Sequence, residues 1–426
     1  MKIEQIHELF LNSSGVSTDT RKINHNSIFF ALKGDNFNGN SFALQALEKG
    51  ASYAFIDEQP VEQNSRLILV QDVLTALQEL STFHRIYLNT PIISLTGSNG
   101  KTTTKELINA VLSKKYKTTA TVGNLNNPIG VPLTLLSMTR ETEIGIVEMG
   151  ANHQKEIEFL CGIAQPDYGY ITNFGKAHLE GFGSVEGVIK GKSELYDFLK
   201  QNNKTVFLNY DDPIQKKQFD YHKTYSFGSS KEADLQIQFP MGSDYASIQY
   251  NDLKIESNLI GAYNAKNMAA AFSIGKYFDV PEDQIKAAIK EYTPRNNRSQ
   301  IIQKGSTKII LDAYNANPTS MVAAIENFEN LKGASKIVFL GDMFEMGAQA
   351  ADEHQQLVNK MEASNIEKVI LLGENFHRTT TATEKIQKFK NFEDFKAAFN
   401  PKETEGKFLL IKGSRGMALE RIVDLL

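Results

Sequence analysis

The segment TGSNGKTTT, residues 96–104, sets the small residues Gly97, Ser98 and Gly100 ahead of Lys101 and the hydroxyls of Thr102 and Thr103. Between an apolar strand and an amphipathic helix, this pattern lets backbone N–H groups at the helix start, together with the small residues, surround phosphate oxygens. The lysine then neutralises charge and a threonine hydroxyl reaches Mg²⁺. The spacing is unusual, because the common phosphate loop has about four residues between its first glycine and the Gly-Lys pair, whereas Gly97 is separated from Gly100 by only Ser98 and Asn99. A glycine-rich turn carrying a solvated lysine would read the same way, so the rest of the chain must choose.

Several other residues are of types that do chemistry. Glu148 lies near the end of the run IGIVEM, at a strand end where α/β proteins place ligand contacts. It either caps the next helix or, beside a phosphate loop, shares Mg²⁺ with Thr102. Asn126 and Asn127 sit in VGNLNNPIGVPLTLL, a polar turn entering a helix. His178 and Lys192 fall within ITNFGKAHLEGFGSVEGVIKGKSEL, Asn264 and Asn267 within GAYNAKNMAAAF, and Asp312 just before YNANP. By themselves these read as a loop histidine, a solvated helix lysine, an Ala-rich packing helix and a strand-end carboxylate. Arg415, in LLIKGSRGMALE, has the guanidinium fork that suits phosphate or carboxylate, and also the makings of a surface arginine.

The elements that must position these groups are recognisable from period and length. Apolar runs of strand length recur: LILV at 67, IISL at 92, IGIVEM at 144, YGYIT at 168, TVFL at 205, KIVFLG at 336, KVILLG at 368 and FLLIK at 408. Many alternate with amphipathic stretches, as βα units do. Over residues 102–116 the helical period puts Leu107, Ile108, Val111 and Leu112 on one face. Proline and polar residues interrupt the pattern at LNTPI (88–92) and YTPRNNR (292–298). The 426 residues therefore divide into three expected domains, 1–89, 90–293 and 294–426.

Composition narrows the class. With a formal net charge of -4 and 23% charged residues, nothing demands nucleic acid or an anionic membrane. No apolar run approaches the ~18 residues of a membrane helix. A single cysteine, Cys161, cannot form an internal disulfide, and the N-terminus lacks a secretory pattern, so the expected compartment is the cytoplasm. The apolar flanks of Cys161 suit a packing residue.

TGSNGKTTT resembles the shortened phosphate loop of the Mur ligases, the ATP-dependent amide ligases of peptidoglycan synthesis, and the resemblance extends in order over essentially the whole chain. It implies three domains: a small α+β UDP-binding N-terminal domain, a central ATPase-like parallel sheet and a C-terminal Rossmann-like α/β domain. By the same resemblance Gly97 to Thr103 hold ATP with Asn264, Asn267 and Asp312. Thr102, Glu148, His178 and Lys192 would hold two Mg²⁺ ions, Lys192 as a carbamate, with Glu194 completing the K-x-E triplet. A carbamate offers a hard cation anionic oxygens where an ammonium would repel it.

Lys101, His178 and Lys192 are the implied catalytic residues. Asn126 and Asn127 become substrate-side residues. Tyr263 stands where the family pattern has a histidine. Ser17, Thr18, Asp19 and Arg21, with Asn38 and Asn40, match the UDP-binding turns. YNANP supplies Tyr314, Asn315 and Asn317 and, with Arg415, resembles the branch that adds D-alanyl-D-alanine to UDP-N-acetylmuramoyl-tripeptide, whereas D-N-P-R of the diaminopimelate-adding branch is absent.

The implied reaction is therefore amide ligation through an acyl phosphate, by a protein expected to be monomeric. The rivals are another Mur ligase or a folylpolyglutamate-synthase-like ligase, a nucleotide-dependent switch, and a non-catalytic binder of the same fold. The switch lacks an N-K-x-D guanine-reading segment, and the binder should have lost the phosphate and metal residues that this chain retains.

Overall fold

The computed structural model of the chain describes residues 1–426 apart from 61–62, 219, 241–242, 295–296 and 334. Arg295 and Asn296, in the stretch expected to hold the second domain boundary, lie outside the described residues. Three main sheets organise the molecule. The first has four parallel strands in chain order, Val16–Ser17, Ile28–Phe30, Tyr53–Ile56 and Leu67–Leu69, with helices Ile3–Leu11, Ala43–Glu48 and Val73–Leu88 around it.

The central sheet has seven parallel strands in the order Leu235–Gln236, Thr224–Gly228, Thr205–Asn209, Tyr168–Ile171, Ile92–Thr96, Ile144–Glu148 and Thr118–Ala120. Ile92–Thr96 and Ile144–Glu148 are buried at every position, as parallel strands covered on both faces must be. The chain leaves Ile92–Thr96 toward one edge and later returns on its other side at Tyr168–Ile171. That reversal opens a crevice at the carboxyl ends of these strands, where such sheets bind ligands.

Helix Lys101–Leu112 buries Leu107, Ile108, Val111 and Leu112, the face that its period requires. Each such side chain contributes roughly 1.5–3 kcal/mol by leaving water. Helix Tyr263–Tyr277 packs beside it closely, since a Cβ at Gly275 would lie 2.5 Å from Val111.

The third sheet runs Gln300–Lys304, Thr307–Asp312, Phe408–Lys412, Lys336–Gly341, Lys368–Leu372 and Ile386–Phe389, with only the first pair antiparallel. Apolar contacts are continuous between the central and third sheets, and between the first sheet and helix Gly130–Leu136 through Leu136, Ile129 and Leu133.

Two histidines lie in the joint between the first and central sheets. His7 Nε2 meets His84 Nδ1 at 3.0 Å, and His84 Nε2 meets the Met138 carbonyl at 3.0 Å. Burial, and then the neighbouring His84, lowers the His7 pKa from 6.5 to about 4, and burial lowers that of His84. A folded-state pKa below the unfolded value means that the unfolded chain binds more protons between pH 6.5 and about 4. Stability therefore falls as pH drops through that window. Urea midpoints should fall between pH 7.5 and pH 5, and His7→Phe should flatten the dependence; an equally steep slope in the variant would assign it elsewhere.

Candidate active site

The phosphate loop starts where strand Ile92–Thr96 ends and is braced by the end of the neighbouring strand. Ser98 N–H donates to the Asn173 carbonyl at 3.0 Å and Asn99 N–H to Asn173 Oδ1 at 3.1 Å, while Ser98 Oγ donates to Gly175 O at 2.9 Å. With the amides of Ser98 and Asn99 engaged, the start of helix Lys101–Leu112 is left to meet an anion. Gly100 has φ +79° and a Cβ there would lie 2.8 Å from Asn267 Oδ1, so both conformation and space require glycine. Gly97 serves the same end away from the cleft, approaching Thr172 so closely that a Cβ would meet its hydroxyl at 2.0 Å.

Lys101 curls over its own loop, with Nζ 2.7 Å from Gly97 O and 3.4 Å from Ser98 O. Burial lowers its pKa, with Glu148 opposing and Arg298 adding to the shift. An ammonium held this way gains most from an incoming anion.

Glu148, at the end of its strand, is almost wholly buried. Its Oε1 accepts from Thr102 Oγ1 at 3.2 Å and Asn126 Nδ2 at 2.8 Å, whereas Oε2 has no partner among the described residues. A buried carboxylate oxygen without a partner is costly unless a ligand completes it. Among the described residues no three His, Cys, Asp or Glu side chains cluster as a metal cage. One carboxylate and one hydroxyl beside a phosphate site instead fit Mg²⁺, which takes much of its coordination from phosphates and water.

His178 begins helix Leu179–Phe182 with φ +53° and lines the cleft. Its Nδ1 is hydrogen-bonded to Glu345 Oε2 from the third sheet, and the imidazole holds the Glu345 carboxyl below its usual range. Lys192 is fully buried behind the cleft wall. Its Nζ donates to Ala151 O at 2.9 Å and lies 4.9 Å from the Phe182 ring centre, and Ala151 itself lines the cleft. Burial first, and then Lys101, holds the Lys192 pKa well below the ordinary value. Glu194 is occupied locally, accepting the Lys155 and Glu158 amides at 2.6 and 3.0 Å.

The opposite wall comes from the third sheet. Lys412, the last residue of its strand, reaches Asp312 Oδ2 at 2.6 Å and Asn315 O at 3.2 Å. Arg298 stacks on the Tyr314 ring at 3.7 Å. Asn317 Nδ2 donates to Asn99 Oδ1 at 2.7 Å, directly joining the phosphate loop to this wall. Tyr263 bonds Ser299 Oγ at 2.9 Å, and Ser299 N–H donates to Asp312 Oδ1 at 3.1 Å. Burial pushes the Tyr263 phenol above its usual pKa, so it stays protonated at the position where a histidine was expected.

The cleft enclosed by these walls is about 720 Å³. It gathers Ser98 to Thr103, Asn126, Asn127, Glu148, His178, Asn267, Asp312, Tyr314, Asn315 and Asn317. The others lie outside it. Asn264 is buried behind, accepting from Asn267 Nδ2 at 2.9 Å. Arg415 is exposed and paired with Glu420 at 2.6 Å. Ser17, Thr18, Asp19, Arg21, Asn38 and Asn40 lie with the first sheet, in turns held by Arg21–Asp19 and Asn40–Asp57 contacts at 2.8 Å.

Sequence reasoning missed Arg298, Lys412, Lys266 and Asn173, which all line the cleft or brace it. Lys412 had a usable signal, since a cation ending a buried strand before Gly-Ser needs a partner. Arg298, in an ordinary polar loop, had none.

Profiles described as Mur ligase family, catalytic domain; Mur ligase middle domain; and Mur ligase, glutamate ligase domain match residues 12–85, 95–275 and 297–415. The chain belongs to the Mur ligase family.

Within it, the UDP-N-acetylmuramoyl-tripeptide--D-alanyl-D-alanine ligase of Bacillus subtilis (strain 168) is 36% identical, over 96% of this chain and 92% of that one. A crystal structure of MurF from Acinetobacter baumannii superposes with TM-score 0.86 at 29% identity, covering 96% of this chain and 92% of that one. MurF ligase from Thermotoga maritima, in complex with ADP, gives 0.84 at 25% identity, covering 100% and 98%.

Proposed function

We propose that the chain is an ATP-dependent ligase joining D-alanyl-D-alanine to UDP-N-acetylmuramoyl-tripeptide, with release of ADP and phosphate, in peptidoglycan synthesis. The observation that carries the reading is the cleft itself, in which a phosphate loop faces a second α/β sheet across a carboxylate with a buried oxygen that has no partner among the described residues. Relatives named for this activity match nearly the full chain.

A carboxylate has no leaving group, so it must first be activated. A tripeptide carboxylate oxygen attacks the γ-phosphorus of ATP, the bond to the β-phosphate oxygen breaks, and ADP leaves from an acyl phosphate. The dipeptide amine then attacks the acyl carbon, its proton is lost, and phosphate departs as the amide forms. Both steps crowd negative charge, so Lys101, the adjacent helix start and Arg298 would stabilise them electrostatically.

Thr102 and Glu148 would hold one Mg²⁺, and His178 with carboxylated Lys192 a second; bound there, the ions screen phosphate against carboxylate. Asn267, Asn264 and Asp312 would serve the nucleoside side. Asn126, Asn127, Tyr314, Asn315, Asn317 and Arg415 would serve the peptides, and Ser17, Thr18, Asp19, Arg21, Asn38 and Asn40 the UDP moiety. The three sheets would correspond to domains 1–89, 90–293 and 294–426, acting as a monomer. Among the described residues no helix is long and apolar enough to cross a membrane, and a cytoplasmic site of action fits the use of ATP.

The test is ADP release by the purified chain with ATP, Mg²⁺ and the UDP-tripeptide, with and without D-alanyl-D-alanine. Turnover should depend on the dipeptide. Tight binding of ATP and tripeptide without that dependence would mean that the acceptor is wrong.

A further inference from the structure

The loop after strand Lys336–Gly341 carries a carboxylate for which the reaction above gives no role. Glu345 has φ +60°, a backbone region disfavoured by roughly 1–2 kcal/mol for residues with a Cβ. Its partner His178 also lies there, with φ +53°. Glu345 is flanked by Met343 and Met346, both buried in the core shared by the central and third sheets, while its own side chain is half-exposed. The left-handed turn thus projects one carboxylate from between two anchored apolar residues.

The loop is held firmly. Met343 N–H donates to His354 Nε2 at 3.0 Å, and Phe344 N–H donates to Ser414 Oγ at 2.9 Å. Asp342, at its start, accepts the amides of Asn375 and Phe376, both at 2.9 Å. The loop itself meets the segment around His178 where Glu180 N–H donates to Glu345 O at 3.2 Å, and helices Pro318–Asn330 and Ala350–Ala363 hold the same segment: Lys176 N–H donates to Thr319 Oγ1 at 3.0 Å, and Lys176 Nζ pairs with Glu353 at 2.6 Å.

We propose that Glu345 is a positioning residue for His178: its carboxylate accepts the Nδ1 hydrogen and leaves the Nε2 lone pair for the cleft, so that docking of the third sheet sets the imidazole. A neutral imidazole has one donor and one acceptor nitrogen, and an anionic acceptor at Nδ1 selects the tautomer whose Nε2 accepts. Metal-binding histidines are commonly oriented by a carboxylate in this way. The inference deepens the ligase reading and rests on it for what His178 binds; the tautomer does not depend on it.

Two measurements on the full chain decide the matter. In the metal-free protein, ¹⁵N signals of the imidazoles, with His178 identified by loss of its signals in His178→Gln, should show Nδ1–H at His178 in wild type and a shift toward Nε2–H in Glu345→Ala. In the ligase assay, half-saturating Mg²⁺ should rise about 10–100-fold in Glu345→Ala, with the KM for ATP at saturating Mg²⁺ unchanged. Glu345→Gln, which keeps an acceptor oxygen, should recover most of both effects.

An Nε2–H tautomer in wild type, or an Ala variant that alters neither the tautomer nor the Mg²⁺ dependence, overturns the proposal. Failure of the ligase reading is separate: wild type itself would then show no dipeptide-dependent ADP release, while the nitrogen signals still decide the role of Glu345.

Discussion

Lys101→Ala should lower dipeptide-dependent ADP release by on the order of 10³-fold or more, the scale seen when a preorganised charge-stabilising group is removed from a closed site. Among the described residues this ammonium is hydrogen-bonded to the carbonyls of Gly97 and Ser98, and burial disfavours its charge. In the proposed reaction its partner would be the phosphate that arrives with the nucleotide, and the interaction would strengthen as negative charge develops. Lys101→Arg should recover little, because a planar fork cannot replace a compact ammonium within a tight loop. Thermal unfolding separates this loss from misfolding. Removing a poorly paired, half-buried cation should leave the midpoint unchanged or slightly higher, and an inactive variant that melts much earlier would void the interpretation.

Lys192 should show the second large effect. Its amine is fully buried with one carbonyl partner, and burial together with Lys101 favours the neutral form. The neutral amine is the species that adds to carbon dioxide, forming an N–C bond and releasing a proton, which converts a donor into a carbamate whose two oxygens share one negative charge. Lys192→Met, close in volume, should fold normally because it replaces a buried polar group with an apolar one. If Lys192 serves as the proposed carbamate ligand, the variant should nonetheless lose about 100-fold of the activity, the scale on which support of a metal site is lost. Wild type in carbon-dioxide-free buffer should slow and recover with bicarbonate, and the variant should not respond. A Met variant with full turnover would exclude the carbamate.

Much of the fold was readable because its signals are local. The eight apolar runs noted in the chain all became strands, and the apolar face predicted for residues 102–116 is the buried face of Lys101–Leu112. Thr118–Ala120, Val16–Ser17 and Leu235–Gln236 were not readable, because short edge strands need no apolar run. Thr224–Gly228 also escaped notice, its polar residues masking a strand that pairs on both sides.

The site divides along the same line. Thr102 and Glu148 were legible together because each ends or follows a buried strand, and neighbouring strands bring such ends into one crevice. The placement of Lys192 behind the wall and the pairing of Arg415 with Glu420 were not, since both depend on how side chains settle after the layers pack.

By itself, then, the sequence determined the phosphate loop, the strands and the main buried faces, since burial period and turn chemistry act over a few residues. Tertiary structure alone decided which distant groups complete the cleft. Asn317 meets Asn99 across 218 residues, Glu345 meets His178 across 167 and Lys412 meets Asp312 across 100. Such pairs exist only after the sheets dock, because no local preference of a polar side chain specifies which remote partner will satisfy it.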